Sequence, residues 1–284
     1  MKLKKAAKIL LSAVIAGALF TGCGQSDDNN QKQNLNAKIG IISHMNAGEN
    51  QLNNYMSKYV ESRGIKTYHH EYVFYDNLNL LIMGLNSKSV DEISTYNCVA
   101  QYVTAKNGNL EILDDHIDMS DNFCFAMRKD DVELKNAIDN AIKSLKDDGL
   151  LDKLIEEYIT NVKNIDPSAV EFTKIDGVET IKVGITGDVP PLDLVTNDGK
   201  PAGFNTAVLS EIGKRIGKNV ELVQIEGGAR AAALTSKQID VIFWATAPKG
   251  DALKFIPATI DKPDNIEFSS PYYEDSVVHI GLKK

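Results

Sequence analysis

The sequence is poor in the residues that most often carry covalent chemistry. Three cysteines stand in 284 residues, at positions 23, 98 and 124, too few for a disulfide framework. The five histidines show no ligand spacing: His69 and His70 are adjacent, while His44, His116 and His279 are scattered, so no metal site is expected. No Gly-rich phosphate loop and no nucleophile–base pair with supporting context is present, so neither catalytic residues nor a cofactor are expected. Basic charge is in deficit. Lys and Arg number 31 against 39 Asp and Glu, a formal charge of −8, which argues against nucleic acid as a partner and against a basic membrane-binding surface. There is a single Trp, at position 244.

What is present begins with an address. Lys2, Lys4, Lys5 and Lys8 precede an apolar run over residues 9–20. That run falls short of the roughly 20 residues needed to span a bilayer and reads as the apolar core of a secretory signal. It closes on Leu19-Phe20-Thr21-Gly22-Cys23. This resembles the lipobox of bacterial lipoproteins, except that Phe20 stands where an aliphatic residue is usual. The resemblance implies a signal peptide over residues 1–22 and a lipid-modified Cys23 carrying diacylglycerol and palmitate, each buried methylene contributing about 0.8 kcal/mol to membrane attachment. An ordinary secretory signal with an incidental cysteine is the alternative. Residues 23–36, rich in Gln, Asn, Ser and Asp, read as a disordered tether. Cys98 and Cys124 then remain. Export permits a disulfide between them, but both sit in apolar surroundings, and two buried free thiols are expected.

The remaining chain, enough for two lobes, carries one pattern twice. Ile39-Gly40-Ile41-Ile42 reads as a strand, and Leu52, Tyr55, Met56, Tyr59 and Val60 follow at helical spacing until Gly64. A strand near residues 66–72 and a short helix near 77–86 come next. In the second half Ile181, Val183 and Ile185 alternate as a strand, and Phe204, Val208, Ile212 and Ile216 mark a helix ending at Gly217. A strand at 220–225 and a short helix at 229–234 complete the unit. Both units close on one phrase, Leu85-Asn86-Ser87-Lys88-Ser89-Val90-Asp91 and Leu234-Thr235-Ser236-Lys237-Gln238-Ile239-Asp240. Such βαβαβ order calls for parallel-type sheets with helices on both faces, and two of them side by side leave a cleft at the strand ends. Between the units, residues 122–129 read as a strand. Leu134, Ile138, Ile142 and Leu145, then Leu151, Leu154, Ile155 and Tyr158, mark two helices either side of Gly149. Residues 161–180 are polar, with Pro167 and Gly177, and read as a linker.

From Val183-Gly184 through Pro190-Pro191, Asp198-Gly199, Gly203-Phe204-Asn205 and Ile239-Asp240 to Phe268-Ser269-Ser270-Pro271-Tyr272-Tyr273, the second half resembles the first lobe of the extracellular solute-binding protein family 3. These are the type II periplasmic binding proteins of amino-acid ABC transporters. The first half resembles the family's second lobe and tail through Val90-Asp91, Met127-Arg128-Lys129-Asp130 and the run from Glu133-Leu134-Lys135 to Asp147-Asp148-Gly149. The order is reversed, which implies an α/β, two-lobed, type II periplasmic-binding-protein (Venus flytrap) fold in circularly permuted form. Residues 37–123 correspond to the second lobe, 124–160 to a hinge strand and tail helices packing on the other lobe, 161–180 to a linker, and 181–284 to the first lobe ending in a hinge strand. A domain-swapped dimer of half-domains is the rival account; a monomer is expected.

The resemblance also implies a pocket, yet the family's amino-acid clamp is missing at matching positions. Val189 and Gly227 stand where aromatics are expected, Ala252 where the carboxylate-binding Arg would be, and Tyr96 where the amine-binding Asp would be. Trp244, Thr246, Arg230 and Asp188 on one lobe, and Tyr96, His44, Met45 and Asn46 on the other, are the candidate ligand contacts. The function expected is an extracytoplasmic, lipid-anchored receptor that encloses a small polar organic solute, an amino acid or derivative, for a membrane permease of an ABC transporter. The alternatives are a signalling or sensor lipoprotein that kept the binding fold without transport, and a dehydratase-type enzyme on the same fold.

Overall fold

The computed structural model describes residues 36–64, 69–114, 118–161 and 166–284. The expected signal peptide, the lipidation of Cys23 and the tether all lie outside them, save Asn36, which opens the first strand.

The N-terminal lobe runs β1 (Asn36–Ile42), α1 (Glu49–Ser62), β2 (His69–Tyr75), α2 (Leu78–Asn86), β3 (Glu92–Tyr96), α3 (Asn97–Lys106) and β4 (Leu110–Ile112). A middle block of β5 (Ser120–Arg128), α4 (Val132–Asp147) and α5 (Leu150–Ile155) ends in a π-helical turn, Glu156–Thr160. The C-terminal lobe follows with β6 (Thr180–Ile185), a small hairpin sheet of β7 (Asp188–Val189), β8 (Asp193–Val195) and β9 (Pro201–Ala202), then α6 (Phe204–Ile216), β10 (Asn219–Gln224), α7 (Arg230–Thr235), β11 (Val241–Lys249), β12 (Ile266–Phe268) and β13 (Tyr273–Leu282).

Two sheets result, and they share one plan. One is ordered β10-β6-β11-β5 with β12 beyond β5; the other is β2-β1-β3-β13 with β4 beyond β13, and because β13 pairs with both β5 and β3 they form one continuous ten-stranded order. In each, the lobe's second, first and third strands lie parallel. A strand arriving from elsewhere in the chain pairs antiparallel with the third, and a short edge strand closes the order. β13 joins the sheets: Tyr273 to Ser276 pair with β5, and Val277 to Ile280 pair with β3. This is a two-lobed α/β architecture.

The repeated phrase folds alike in both lobes, down to single hydrogen bonds. Lys88 and Lys237 both take the left-handed region, at φ 61° and 62°. The amides of Ser89 and Val90 reach the Gly84 carbonyl as those of Gln238 and Ile239 reach that of Ala233. Asp91 and Lys38 exchange two hydrogen bonds, the Asp91 amide to the Lys38 carbonyl and the Lys38 amide to Asp91 Oδ2; Asp240 and Lys182 repeat both. The short carboxylate thus occupies a backbone amide at the start of the first strand that would otherwise lack a partner. The same symmetry explains two glycines. A Cβ on Gly40 would stand 2.4 Å from Leu81 Cδ1, and one on Gly184 would stand 2.6 Å from Ile239 Cδ1, so each first strand leaves room for an apolar chain packed across it.

β2 lies about three residues later than the pattern suggested, in a register that pairs Ile41 with Phe74 and Ile42 with Tyr75. α3 was not anticipated; it buries Cys98, Val99, Ala100, Tyr102 and Val103 and turns a narrow polar stripe of Asn97, Gln101 and Thr104 outward. Cys98 and Cys124 are buried free thiols. α4 and α5 pack on α6. Residues 166–179 run along the C-terminal lobe through Val170 N to the Pro201 carbonyl and Ile175 N to Asn219 Oδ1.

Candidate functional site

Two flanks hold the lobes together, and a cavity of about 110 Å³ lies between them. On one flank the turn before α7 comes up against the end of β1. Gly227 N donates to the Asp76 carbonyl, Arg230 Nη2 reaches the Ser43 carbonyl at 3.2 Å, and Asp188 Oδ2 accepts from Leu78 N, in the first turn of α2, at 2.9 Å. A Cβ at residue 227 would already stand 3.2 Å from the Asp76 carbonyl oxygen. Glycine at the position where the family resemblance calls for an aromatic therefore lets the two backbones approach directly.

The other flank is built by residues 250–264, which leave β11 and cross to the N-terminal lobe. Ala252, Ile256 and Ile260 join Ala37, Ile39, Leu52, Met56 and Tyr59 in one apolar cluster. Asp261 anchors the crossing: its Oδ1 accepts from Asn46 N at 2.8 Å and stands 3.5 Å from His44 Nδ1, while Asn46 Nδ2 donates to the Ile260 carbonyl. Burial alone would raise the Asp261 carboxyl, but His44, Arg230 and the Asn46 amide outweigh it and hold the carboxyl below its ordinary range.

The cavity wall contains His44 and Tyr96 from the N-terminal lobe and Arg230, Trp244 and Thr246 from the C-terminal lobe. Met45, Asn46 and Asp188 stand outside it: Met45 packs in the core around Ile242, Asn46 ties the lobes as described, and Asp188 meets the α2 amide. Asp188 Oδ1 has no hydrogen-bond partner, and burial, with Asp193 nearby, pushes its carboxyl up to about 6. Asp193, a residue the sequence did not point to, holds that loop in place by accepting from the amides of Thr186 and Gly187.

Arg230 differs from its expected part. It is buried, and its guanidinium donates to the carbonyls of Gly227, Trp244 and Ser43, with its face 5.2 Å from the Trp244 ring centroid. The Trp244 carbonyl is open to it because β11 bulges between Ile242 and Ala245, which takes Phe243 and Trp244 out of the ladder with β5. The freed Phe243 carbonyl goes to the hydroxyl of Tyr272, from the Pro271-Tyr272-Tyr273 motif.

At the base of the cavity Tyr96 donates its hydroxyl to Asp121 Oδ2 at 2.7 Å and sets its ring edge-on to Trp244. Burial, with the Asp121 carboxylate second, raises the Tyr96 hydroxyl far above its ordinary range, and burial raises Asp121 as well. Asp121, Asp261, Met119, Ile256 and His279 also line the cavity and were not candidates. The one signal for Asp121 is a charge at the head of the apolar run Phe123-Cys124-Phe125-Ala126. Among the described residues no cluster of three or more His, Cys, Asp or Glu is arranged to hold a metal ion.

Comparison with known proteins places the second half. Residues 181–283 match the bacterial extracellular solute-binding proteins, family 3. Over that segment the chain is similar to this family. Among curated relatives, the probable amino-acid ABC transporter-binding protein of Haemophilus influenzae is 27% identical over 106 residues, 37% of this chain and 37% of its own length. The L-cystine-binding protein TcyJ of Escherichia coli is 25% identical over 132 residues, 46% of this chain and 38% of its own. The chain thus aligns with less than two fifths of the length of these relatives. Among solved structures, the GluR0 ligand-binding core in complex with L-glutamate aligns at a TM-score of 0.38 and 10% identity, covering 89% of this chain and 86% of that one. An ancestral arginine-binding protein bound to arginine aligns at 0.37 and 11%, covering 88% and 85%. The family 3 segment is the C-terminal lobe with β13, and it supplies Arg230, Trp244 and Thr246 to the cavity wall. Among the described residues no helix is long and apolar enough to cross a membrane.

Proposed function

We propose that this protein is an extracytoplasmic solute receptor, tethered through an acylated Cys23, that encloses a small polar organic solute, an amino acid or a derivative of one, and passes it to the permease of an ABC transporter. The observation that carries the reading is a cavity walled by both lobes at the joint where β13 passes from one sheet to the other, in a chain whose C-terminal lobe matches family 3. A fold of two lobes on connecting strands binds by closing, so affinity includes the free energy of closure. The contacts at Gly227, Arg230 and Asp261, which tie one lobe to the other, support that reading.

The same reading includes a circular permutation. Ile280, Ile93 and Gly40 stand in one row across β13, β3 and β1. β13 runs antiparallel to the other two, so four residues past Ile280 and four before Gly40 the chain leaves the sheet on one side, with a single strand between, about 10 Å. A short linker would span that gap in the unrearranged order, which favours a rearranged single chain over halves exchanged between two molecules. The lobes complete each other within one chain, and the protein acts as a monomer.

Mass spectrometry of the small molecules released on denaturing the natively purified protein tests the receptor function. One solute at near-stoichiometric amount, raising Tm on re-addition, is the expected result; a protein that yields none and is stabilised by no member of a broad metabolite panel is no receptor. Replacing Cys23 with Ala moves the protein from the membrane fraction to the soluble one if the anchor is as proposed.

A further inference from the structure

The polar groups of the cavity are unevenly committed, and that imbalance defines a ligand. Asp261 is engaged by two backbone amides and stands beside His44. Arg230 is engaged by three carbonyls. Leaving aside the ring nitrogens of His44, beside Asp261, and of His279, two buried atoms in the wall have no hydrogen-bond partner: Asp121 Oδ1, an acceptor, and Trp244 Nε1, a neutral donor. A buried carboxylate oxygen without a donor is costly, and both atoms are satisfied only by something that enters the cavity. Much of the remaining wall is hydrocarbon, from Ile41, Leu52, Met56, Ile256, Ile260 and Val277.

We propose that the enclosed solute is a small organic amine with a compact apolar body and no carboxylate, its ammonium group donating to Asp121 Oδ1. This rests on the receptor reading above and narrows it. An ammonium meets a carboxylate that has no donor on that oxygen; an anionic group entering the same space would face the two carboxylates of Asp121 and Asp261, with Arg230 already turned toward carbonyls. The size agrees. A cavity of about 150 Å³ holds a benzene, so 110 Å³ suits a body of a few carbons. The Trp244 N–H takes whatever neutral acceptor the solute carries, a hydroxyl or ether oxygen.

The test uses three probes that share one apolar body: 3-methylbutylamine, 3-methylbutanol and L-leucine, added to the full-length protein and read by thermal shift and calorimetry. The amine is expected to raise Tm most and to bind about 100-fold more tightly than the alcohol, with L-leucine giving no shift. Asp121→Asn, which still accepts from Tyr96, should lose about 100-fold in amine affinity with an unchanged circular dichroism spectrum, and Trp244→Phe should lose less. A larger shift with L-leucine than with the amine overturns the proposal and leaves an amino-acid receptor standing. Full amine affinity in Asp121→Asn overturns it too, as does the absence of any amine shift. Only if no co-purified or added solute binds at all does the receptor reading fall with it.

Discussion

In the N-terminal lobe the chain leaves β3 at Tyr96 and turns at once into α3, which packs on β13 and therefore on its own sheet. In the C-terminal lobe β11 continues for nine residues, bulges at Phe243 and Trp244, and passes into residues 250–264, which pack on the opposite lobe. Up to that point the lobes agree in strand order, in the turns at Lys88 and Lys237, and in the paired bonds of Asp91 and Asp240. The difference shows how a duplicated plan acquires a site. Two lobes that each finished with their own helix would meet only at the crossing strands. By sending Ile256, Ile260 and Asp261 across, the C-terminal lobe supplies an apolar wall and a charged anchor from inside its neighbour's core. Ala252 illustrates the consequence: at the position expected to hold a carboxylate-binding Arg it is fully buried in that core, where a guanidinium would have no partner.

The comparison is broken most strongly by truncating a buried side chain of the crossing segment. Ile256→Ala removes a buried side chain and should cost about 3 kcal/mol in unfolding free energy while also weakening solute binding. Val103→Ala in α3, the counterpart on the other lobe, should cost about 1 kcal/mol and leave binding unchanged. Urea titrations of both variants, with calorimetry on the amine, decide it; equal effects on binding would mean that the crossing segment is no more part of the site than α3 is.

A second asymmetry lies in the loops after the first strands, where one lobe carries His44 and the other Asp188. The carboxyl of Asp188 is pushed up to about 6 by burial first and by Asp193 second. A carboxyl raised in the folded state holds its proton longer there than in the unfolded chain, so its contribution to stability is complete below pH 4 and is lost as pH rises through about 6. Asp188→Asn should therefore gain on the native protein by on the order of 2 kcal/mol between pH 4 and pH 7. A stability difference that stays flat across that range would remove Asp188 from the account of the lobe contact.

The smallest effect tests the likeness itself. Lys88→Gly and Lys237→Gly relieve the same left-handed strain and should each stabilise the protein by about 0.5 kcal/mol. Opposite signs at the two positions would show that the turns are alike in outline only.

Much of the fold could be read from the residues. The apolar stripe of Leu52, Met56, Tyr59 and Val60, the stop at Gly64, and the two phrases ending on Asp91 and Asp240 are local patterns, and local patterns fix helices, turns and strand starts through backbone geometry alone. Trp244, Thr246 and Tyr96, in the cavity wall, were legible because they lie on the strands that those phrases open. Asp121, Asp261 and Ile256 were not. Nothing near them in sequence distinguishes a carboxylate in solvent from one facing a closed cavity, and Asp261 meets Asn46 across a separation of 215 residues. Arg230 gives the same lesson in reverse: its place at the head of a short helix was readable, but its engagement with three carbonyls depends on the bulge in β11 and on how closely β1 approaches. The sequence by itself determined the duplicated βαβαβ units and the residues that begin and end them, because those depend on neighbours a few positions away. Which charges are satisfied and which are left open to a solute was decided only in the tertiary structure, because burial and pairing are properties of surfaces that meet.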